Sequence, residues 1–130
     1  MSLTATNTEF HWGLTGQRWQ LTVTKSAEQL ARETGGDPVA TFVGATVVIK
    51  FGADKGKPAL VTFASGSGLT ITDAQQDSLT ALIETYSGWA DQVPEPEDSR
   101  LLDGQIELTL TNGQKQVEDQ GLTLKIKSSY

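Results

Sequence analysis

The sequence predicts an all-β domain, most simply an immunoglobulin-like antiparallel β-sandwich with one short inserted helix. Apolar and polar residues alternate in several short runs, which is the period of a strand with one buried face. Glycine, proline, asparagine and aspartate separate these runs at intervals of roughly 10 to 15 residues. With 130 residues and no cysteine, the chain can bury one core without disulfides. A small β-barrel is the alternative that the same pattern allows.

The chain begins with a polar, threonine-rich segment. We expect residues 1–8 to form a mobile N-terminal arm and residues 9–130 to form a single β-sandwich domain. A first short strand is predicted near 8–12. A half-buried strand is predicted over 17–24, where apolar residues alternate with glutamine and threonine.

The segment SAEQLARETGG interrupts the β pattern with helix signals. Ser26 is a plausible N-cap, and Gln29 three residues later completes a capping box. Gly35 and Gly36 suit the C-terminal end of a helix. The sequence therefore predicts a two-turn surface helix that lies on the sheet, with Leu30, Ala27 and Ala31 as the side chains that could face the core.

The stretch from Gly44 to Thr72 predicts three short strands joined by tight turns. In the first strand four apolar residues share one face: Ala45, Val47, Ile49 and Phe51. The charged turn ADKGKP ends this strand, and a second strand over VTF follows it. A Gly-Ser-Gly turn at 66–68 then leads to the third strand.

Two later segments are less clearly predicted: one fits two kinds of secondary structure, and the other is expected to be irregular. Residues 73–86 fit either a strand or a helix, because their apolar residues match both periods. Residues 87–100 contain Pro94 and Pro96 and predict an extended acidic loop with one helical turn near Trp89.

The C-terminal part of the sequence predicts a β-hairpin and a closing strand. The hairpin turn is centred on Asn112-Gly113, a sequence that favours a two-residue type I′ turn. The returning strand is expected over 114–119, and the final strand over 122–127.

Charge and composition exclude several classes of partner. The formal net charge is −6 at pH 7, and the ten lysines and arginines are scattered along the chain. Nucleic acids and anionic membrane surfaces need clustered basic residues, so neither is an expected partner. No apolar run approaches the roughly 20 residues of a membrane-spanning helix.

The sequence carries no recognisable catalytic, cofactor or metal motif. His11 is the single histidine, and the chain lacks the G-x-S-x-G motif that would accompany a serine nucleophile. Asp91, Glu95, Glu97 and Asp98 could offer oxygens to calcium, but they lack the spacing of a calcium loop. We therefore predict a solvated acidic loop, no enzyme activity, no cofactor and no metal.

Four aromatic residues are the candidate interface residues: Phe10, Trp12, Tyr86 and Trp89. The last three lie outside clean strand alternation. They could close the open ends of the sandwich, form hot spots of a protein interface, or form a platform on which sugars stack.

Several short motifs carry a resemblance to a known family: GQRWQLTVT, VGATVVIKF, GLTITD, DGQIELTLTNGQ and LTLKI. Over residues 16–127 the chain resembles the small immunoglobulin-like β domains of bacteriophage tail and baseplate proteins, such as the N-terminal part of the baseplate upper protein. The inserted helix and the long acidic loop depart from the family pattern. The resemblance implies a structural protein of the virion, with no catalytic residues to carry over.

We therefore expect a non-enzymatic virion structural protein of a tailed bacteriophage, in the tail, baseplate or capsid decoration. It would assemble in the host cytoplasm with copies of itself and with other virion proteins. The alternative is a carbohydrate-binding β-sandwich module, which predicts that Trp12, Tyr86 and Trp89 converge on one exposed face.

Overall fold

The computed structural model describes residues 2–4, 7–37, 40–54, 56–118 and 121–129. In these ranges the elements follow in this order: β1 Ser2–Thr4, β2 Asn7–His11, β3 Arg18–Thr24, α1 Ala27–Thr34, β4 Thr46–Gly52, β5 Ala59–Ser65, β6 Gly68–Ala74, β7 Ser78–Glu84, β8 Ser99–Thr109, β9 Lys115–Glu118 and β10 Thr123–Lys127.

The strands form an all-β, immunoglobulin-like sandwich, as the sequence predicts. The hydrogen-bonded order is β1-β3-β7-β6-β5-β4-β8-β10-β2, and β9 pairs with β8. At the step from β5 to β6 the paired residues are Ala64 with Gly68 and Ser65 with Leu69. This step is the corner between a first sheet, β1-β3-β7-β6, and a second sheet, β5-β4-β8-β10-β2 with β9.

The inward side chains of the two sheets form one apolar core. The predicted strands of the central stretch are confirmed as β4, β5 and β6. Ile49 and Phe51 of β4 and Phe63 of β5 are fully buried in this core. The period of two in the sequence therefore gave the inward face correctly.

Residues 78–84 settle the open choice between strand and helix. They form β7, which pairs with β3 on one side and β6 on the other. Leu79, Ala81 and Ile83 are buried, which is the strand alternation and not the helical spacing. Pairing with two neighbours satisfies the backbone of β7 along its length, which is a tertiary effect that local periodicity does not show.

Within the segment for which a mobile arm is predicted, the structure describes strand β1 and the start of strand β2. Ser2–Thr4 pair antiparallel with Thr22–Thr24, and Asn7–His11 pair parallel with β10. The segment from Ser2 to His11 thus contributes an edge strand to each sheet, with residues 5 and 6 outside the described ranges. Threonine is a good strand former, and this suits the segment to edge pairing.

Strand β8 begins at Ser99, within the predicted acidic loop of residues 87–100, and contains Gly104. A Cβ atom at this position would lie 2.7 Å from both Leu122 Cγ and Phe51 Cε1. Glycine therefore lets β8 pass close to the chain segment before β10. The end of the predicted acidic loop is consequently part of a strand that pairs with β10 through Ser99–Asp103.

The β8–β9 hairpin is confirmed, but its turn is one residue longer than predicted. Gly113 N donates to Leu110 O at 2.9 Å, and Leu110 N donates to Gln114 O at 2.8 Å. Thr111 and Asn112 therefore occupy the central turn positions, and Gly113 follows with φ of 87°. This is the three-residue loop that places glycine in the left-handed conformation.

Helix α1 begins and ends as predicted, but it does not pack by an apolar face. Ser26 Oγ accepts a hydrogen bond from Gln29 N at 3.1 Å. None of the eight residues of α1, all of which the structure describes, is buried. The prediction that Leu30 faces the core is wrong, since its side chain is exposed.

Candidate functional site

Two of the four candidate interface residues, Phe10 and Trp89, belong to the core of the chain itself. Each is 2% exposed. The Trp89 ring stacks on Phe63 at 6.4 Å between centroids, and Phe10 meets Phe63 edge-on at 6.2 Å. These rings close the end of the sandwich at which β3 begins. Their burial removes them from any surface that a partner could reach in this structure.

The other two candidates, Trp12 and Tyr86, lie at the same end and keep some exposure. Trp12 Nε1 donates to Val93 O at 2.6 Å, and Tyr86 Oη donates to Thr62 O at 2.6 Å. The polar atoms of both rings are thus used within the chain. Trp12, Tyr86 and Trp89 do not converge on one exposed face, so the sugar platform of the alternative hypothesis does not form. An interface role for Trp12 and Tyr86 stays a prediction.

His11 lies at the outer edge of β2, where a side chain completes the backbone hydrogen bonding. His11 N donates to Gln17 Oε1 at 2.7 Å, and Gln17 Nε2 donates to His11 O at 3.0 Å. The Gln17 amide thereby takes the place of a neighbouring strand. The His11 ring is exposed, with Nδ1 3.2 Å from Ser128 O.

The acidic loop contacts the C-terminal residues. Glu95 Oε2 accepts hydrogen bonds from Ser129 Oγ at 2.9 Å and from Ser128 Oγ at 3.3 Å. Within the described ranges, no three histidine, aspartate or glutamate side chains form a group that could hold a metal ion. Over the same ranges, no helix has both the length and the apolar character needed to cross a bilayer.

At the opposite end, a buried lysine connects four segments of the chain. The side chain of Lys25 is 0% exposed. Its Nζ lies 3.0 Å from Glu33 Oε1 of α1 and 3.0 Å from Asp77 Oδ1 of the β6–β7 turn. It also donates to Ala40 O and lies 5.6 Å from the centroid of the Phe42 ring. This ammonium group, and not an apolar face, holds α1 against the sandwich.

Sequence reasoning missed this lysine, although the sequence contains a signal for it. Leu21, Val23 and Lys25 are alternate residues of the chain. The alternation of a strand therefore predicts that Lys25 points inward, as the two apolar residues do. A buried ammonium group needs charged and hydrogen-bonding partners. Nothing local indicates that Asp77, which lies 52 residues later in the sequence, is one of them.

The surroundings of Lys25 predict an alkaline loss of stability. Burial by itself lowers the pKa of Lys25, but hydrogen bonds to Glu33 and Asp77 outweigh it, and the pKa is raised above its usual 10.5. A raised pKa stabilises the fold fully below the unfolded pKa, and this contribution is lost as pH rises through the folded pKa. We expect the free energy of unfolding to fall above about pH 10.5.

The measurement is urea unfolding between about pH 9 and pH 12 for the wild type and for Lys25→Met. The variant lacks the titrating group, so its stability should fall less steeply over this interval. Parallel curves for the two proteins would contradict the assignment.

A groove of about 380 Å³ lies between α1 and β9. Gln29 and Arg32 line it from α1, and Gln116 and Val117 line it from β9. Gln29 Nε2 donates to Gln116 Oε1 at 3.1 Å. The lining is mostly amide and charged groups, with no aromatic ring among its residues. Sequence analysis did not find this groove, because the two elements are far apart along the chain.

A shallow depression of about 400 Å³ lies on the outer face of the second sheet. Leu101, Thr8 and Thr123 line it together with Glu9 and Lys125. The side chain of Leu101 is 61% exposed. Glu9 Oε1 lies 2.9 Å from Lys127 Nζ, and this hydrogen bond lowers the pKa of Glu9 and raises that of Lys127.

No known protein family and no curated protein matches the sequence. Among solved structures, the chain is similar in fold to the periplasmic chaperone SfaE, with 16% identity and a TM-score of 0.44 over 99% of this chain. The chain spans 58% of the length of that chaperone.

Two further solved structures are similar in fold over nearly the whole chain. AggA, the major subunit of aggregative adherence fimbriae type I from Escherichia coli, has 13% identity and a TM-score of 0.35 over 98% of this chain and 93% of its own. Murine CRIg has 10% identity and a TM-score of 0.35 over 99% of this chain and 98% of its own. At these identities and TM-scores the likeness carries no argument about function.

Proposed function

We propose that the chain is a non-enzymatic virion structural protein of a tailed bacteriophage, a component of the tail, the baseplate or the capsid decoration. It acts by binding copies of itself and other virion proteins. The motif resemblance over residues 16–127 supports the phage assignment. The observation that supports assembly is the exposure of aliphatic side chains on the outer face of the second sheet.

Two aliphatic residues of neighbouring strands lie on this outer face. Leu101 of β8 is 61% exposed and Val117 of β9 is 50% exposed. Ion pairs flank both residues, since Glu9 pairs with Lys127 and Glu107 pairs with Lys115. Each side chain offers apolar contact area to a partner, with charged groups around it as in the polar rim of a protein interface. The larger aromatic side chains, by contrast, are used inside the chain.

A carbohydrate-binding module is the second candidate, and the groove beside α1 favours it. Gln29, Gln116, Arg32 and Asp37 line that groove, and amide, guanidinium and carboxylate groups hydrogen-bond well to hydroxyls. The groove lacks an aromatic ring on which a sugar could stack.

Isothermal titration calorimetry separates the two candidates, because the residues that line the groove include no tryptophan that would report on a bound sugar. We expect no saturable heat of binding on titration with a panel of oligosaccharides, because the groove offers no aromatic ring on which a sugar could stack. Gln29→Ala is the matched control. A saturable heat of binding in the wild type that this variant loses would favour the carbohydrate-binding module.

The proposal itself is tested on particles. Antibody labelling in electron microscopy and quantitative mass spectrometry are applied to washed particles of the phage that encodes the chain. Labelling at one defined position with a constant copy number supports a structural role. Absence of the chain from washed particles that retain their other structural proteins would contradict it.

A further inference from the structure

We propose that β9 is the edge through which two copies of the chain pair, antiparallel and with Gln116 on the two-fold axis. The two second sheets would then form one continuous sheet. This inference rests on the proposed assembly function and specifies one contact through which copies of the chain would assemble.

At two of the other sheet edges, side chains hydrogen-bond to backbone groups that an added strand would need. At β2 the Gln17 amide occupies both backbone groups of His11. At β5 the hydroxyl of Tyr86 occupies the outward carbonyl of Thr62. An added strand would have to displace these groups, so both edges are poor acceptors of a second chain.

Edge strand β6 is irregular. Its register with β7 shifts between Ile71 and Asp73, and Asp73 adds an exposed carboxylate to the same edge. Bulges and charges at an edge disfavour pairing with another chain. Strand β1 offers an edge of three residues only in the described chain.

Two residues of β9 direct their backbone hydrogen-bonding groups outward, away from β8. Leu110 N donates to Gln114 O, so Gln114 and, by alternation, Gln116 and Glu118 direct their backbone groups toward β8. Lys115 and Val117 therefore direct their N–H and C=O groups away from β8. Within the described residues, no strand pairs with β9 on that side.

The groove beside α1 lies along this same edge. Successive side chains of a strand point to opposite faces. Gln116 and Val117 are successive residues and both line the groove, so the groove follows the edge of β9 and not either face. Gln116 pairs with the buried Leu108, so its side chain points to the inner face of the sheet, and the hydrogen bond that it accepts from Gln29 places α1 on that side of β9.

A second copy of β9 fits this edge in one antiparallel register. With Gln116 opposite Gln116 of the other copy, Lys115 lies opposite Val117 of that copy, and the reverse. All outward N–H and C=O groups of these residues then form hydrogen-bonded pairs. Glu118 lies opposite Gln114, so no like charges face each other directly. Both copies contribute the same residues, so the contact is isologous and closes at two chains.

A cysteine at position 116 tests the register. The two Gln116 residues form a non-hydrogen-bonded pair, in which Cα atoms are about 4.5 Å apart, a distance compatible with a disulfide. Because the chain has no cysteine, Gln116→Cys introduces a single thiol. We expect mild oxidation to give a disulfide-linked dimer at least about tenfold faster than in the control Leu101→Cys, which lies on the same sheet away from β9.

Val117→Pro provides a second test that leaves the intrachain ladder intact. The N–H that proline removes points away from β8, and an edge strand tolerates proline at such a position. We expect the dimer to weaken at least about tenfold, with a melting temperature within a few degrees of the wild type.

The outcomes separate this inference from the proposed function. Faster cross-linking through Leu101→Cys, or a dimer unaffected by Val117→Pro, would overturn the β9 contact and leave assembly through another surface. A chain that remains monomeric but is present in washed particles would overturn self-pairing alone. Absence from particles would overturn the proposed function.

Discussion

Lys25→Met is expected to lower the free energy of unfolding by about 3–5 kcal/mol, the usual cost of removing one partner of a buried ion pair. The side chain of Lys25 is 0% exposed, and Glu33 is only 11% exposed. Methionine fills a similar volume but leaves the Glu33 carboxylate and Ala40 O without their ammonium donor. Helix α1 loses its main attachment as well, because it buries no side chain of its own in the described structure.

The matched control is Lys50→Met, an exposed lysine on β4. A surface substitution of this kind usually changes stability by within about 0.5 kcal/mol. Urea unfolding of the wild type and both variants at neutral pH gives the comparison. Equal stabilities for the two variants would show that Lys25 contributes no more than a surface lysine.

Gly68→Ala is expected to destabilise the fold by about 2–4 kcal/mol, whereas Gly66→Ala should cost only about 1–2 kcal/mol. Both glycines have nearly the same left-handed conformation, with φ of 82° and 86°. A Cβ at Gly68 would lie 2.6 Å from Tyr86 Cδ1 and 2.9 Å from Glu84 O, whereas a Cβ at Gly66 meets no atom within 4 Å among the described residues.

The pair therefore separates backbone strain from steric overlap. Both substitutions incur the strain, and only Gly68→Ala adds a clash with backbone and with rings at the corner between the sheets. Chemical unfolding of the two variants measures the difference directly. The packing of Tyr86 across the corner would be contradicted if both variants lost the same stability.

Local patterns in the sequence were sufficient for the strands of the sandwich. The inward residues of β4 and the caps of α1 follow directly from periodicity and capping chemistry. The choice between strand and helix at β7, and the early start of β8, depended on neighbouring strands. Those effects arise from tertiary pairing, which a single sequence does not encode locally.

The candidate site was less predictable than the fold. Trp89 lies in a loop without periodicity, so its burial against Phe63 had no local signal. The groove beside α1 forms because a buried lysine holds the helix near a hairpin that follows eighty residues later in the sequence. The alternation of side chains along β3 could have predicted that Lys25 points inward. Its partners could not be predicted, because they come from separate segments of the chain.

The molar mass in solution, measured by light scattering from about 1 μM to about 1 mM with and without oligosaccharides, tests the central claim of assembly most directly. We expect the mass to rise from that of one chain toward that of two chains or a larger defined oligomer without any sugar, and to stay near one chain longer for Val117→Pro. A constant single-chain mass over the whole range, together with a saturable heat of binding to sugar, would contradict the assembly account.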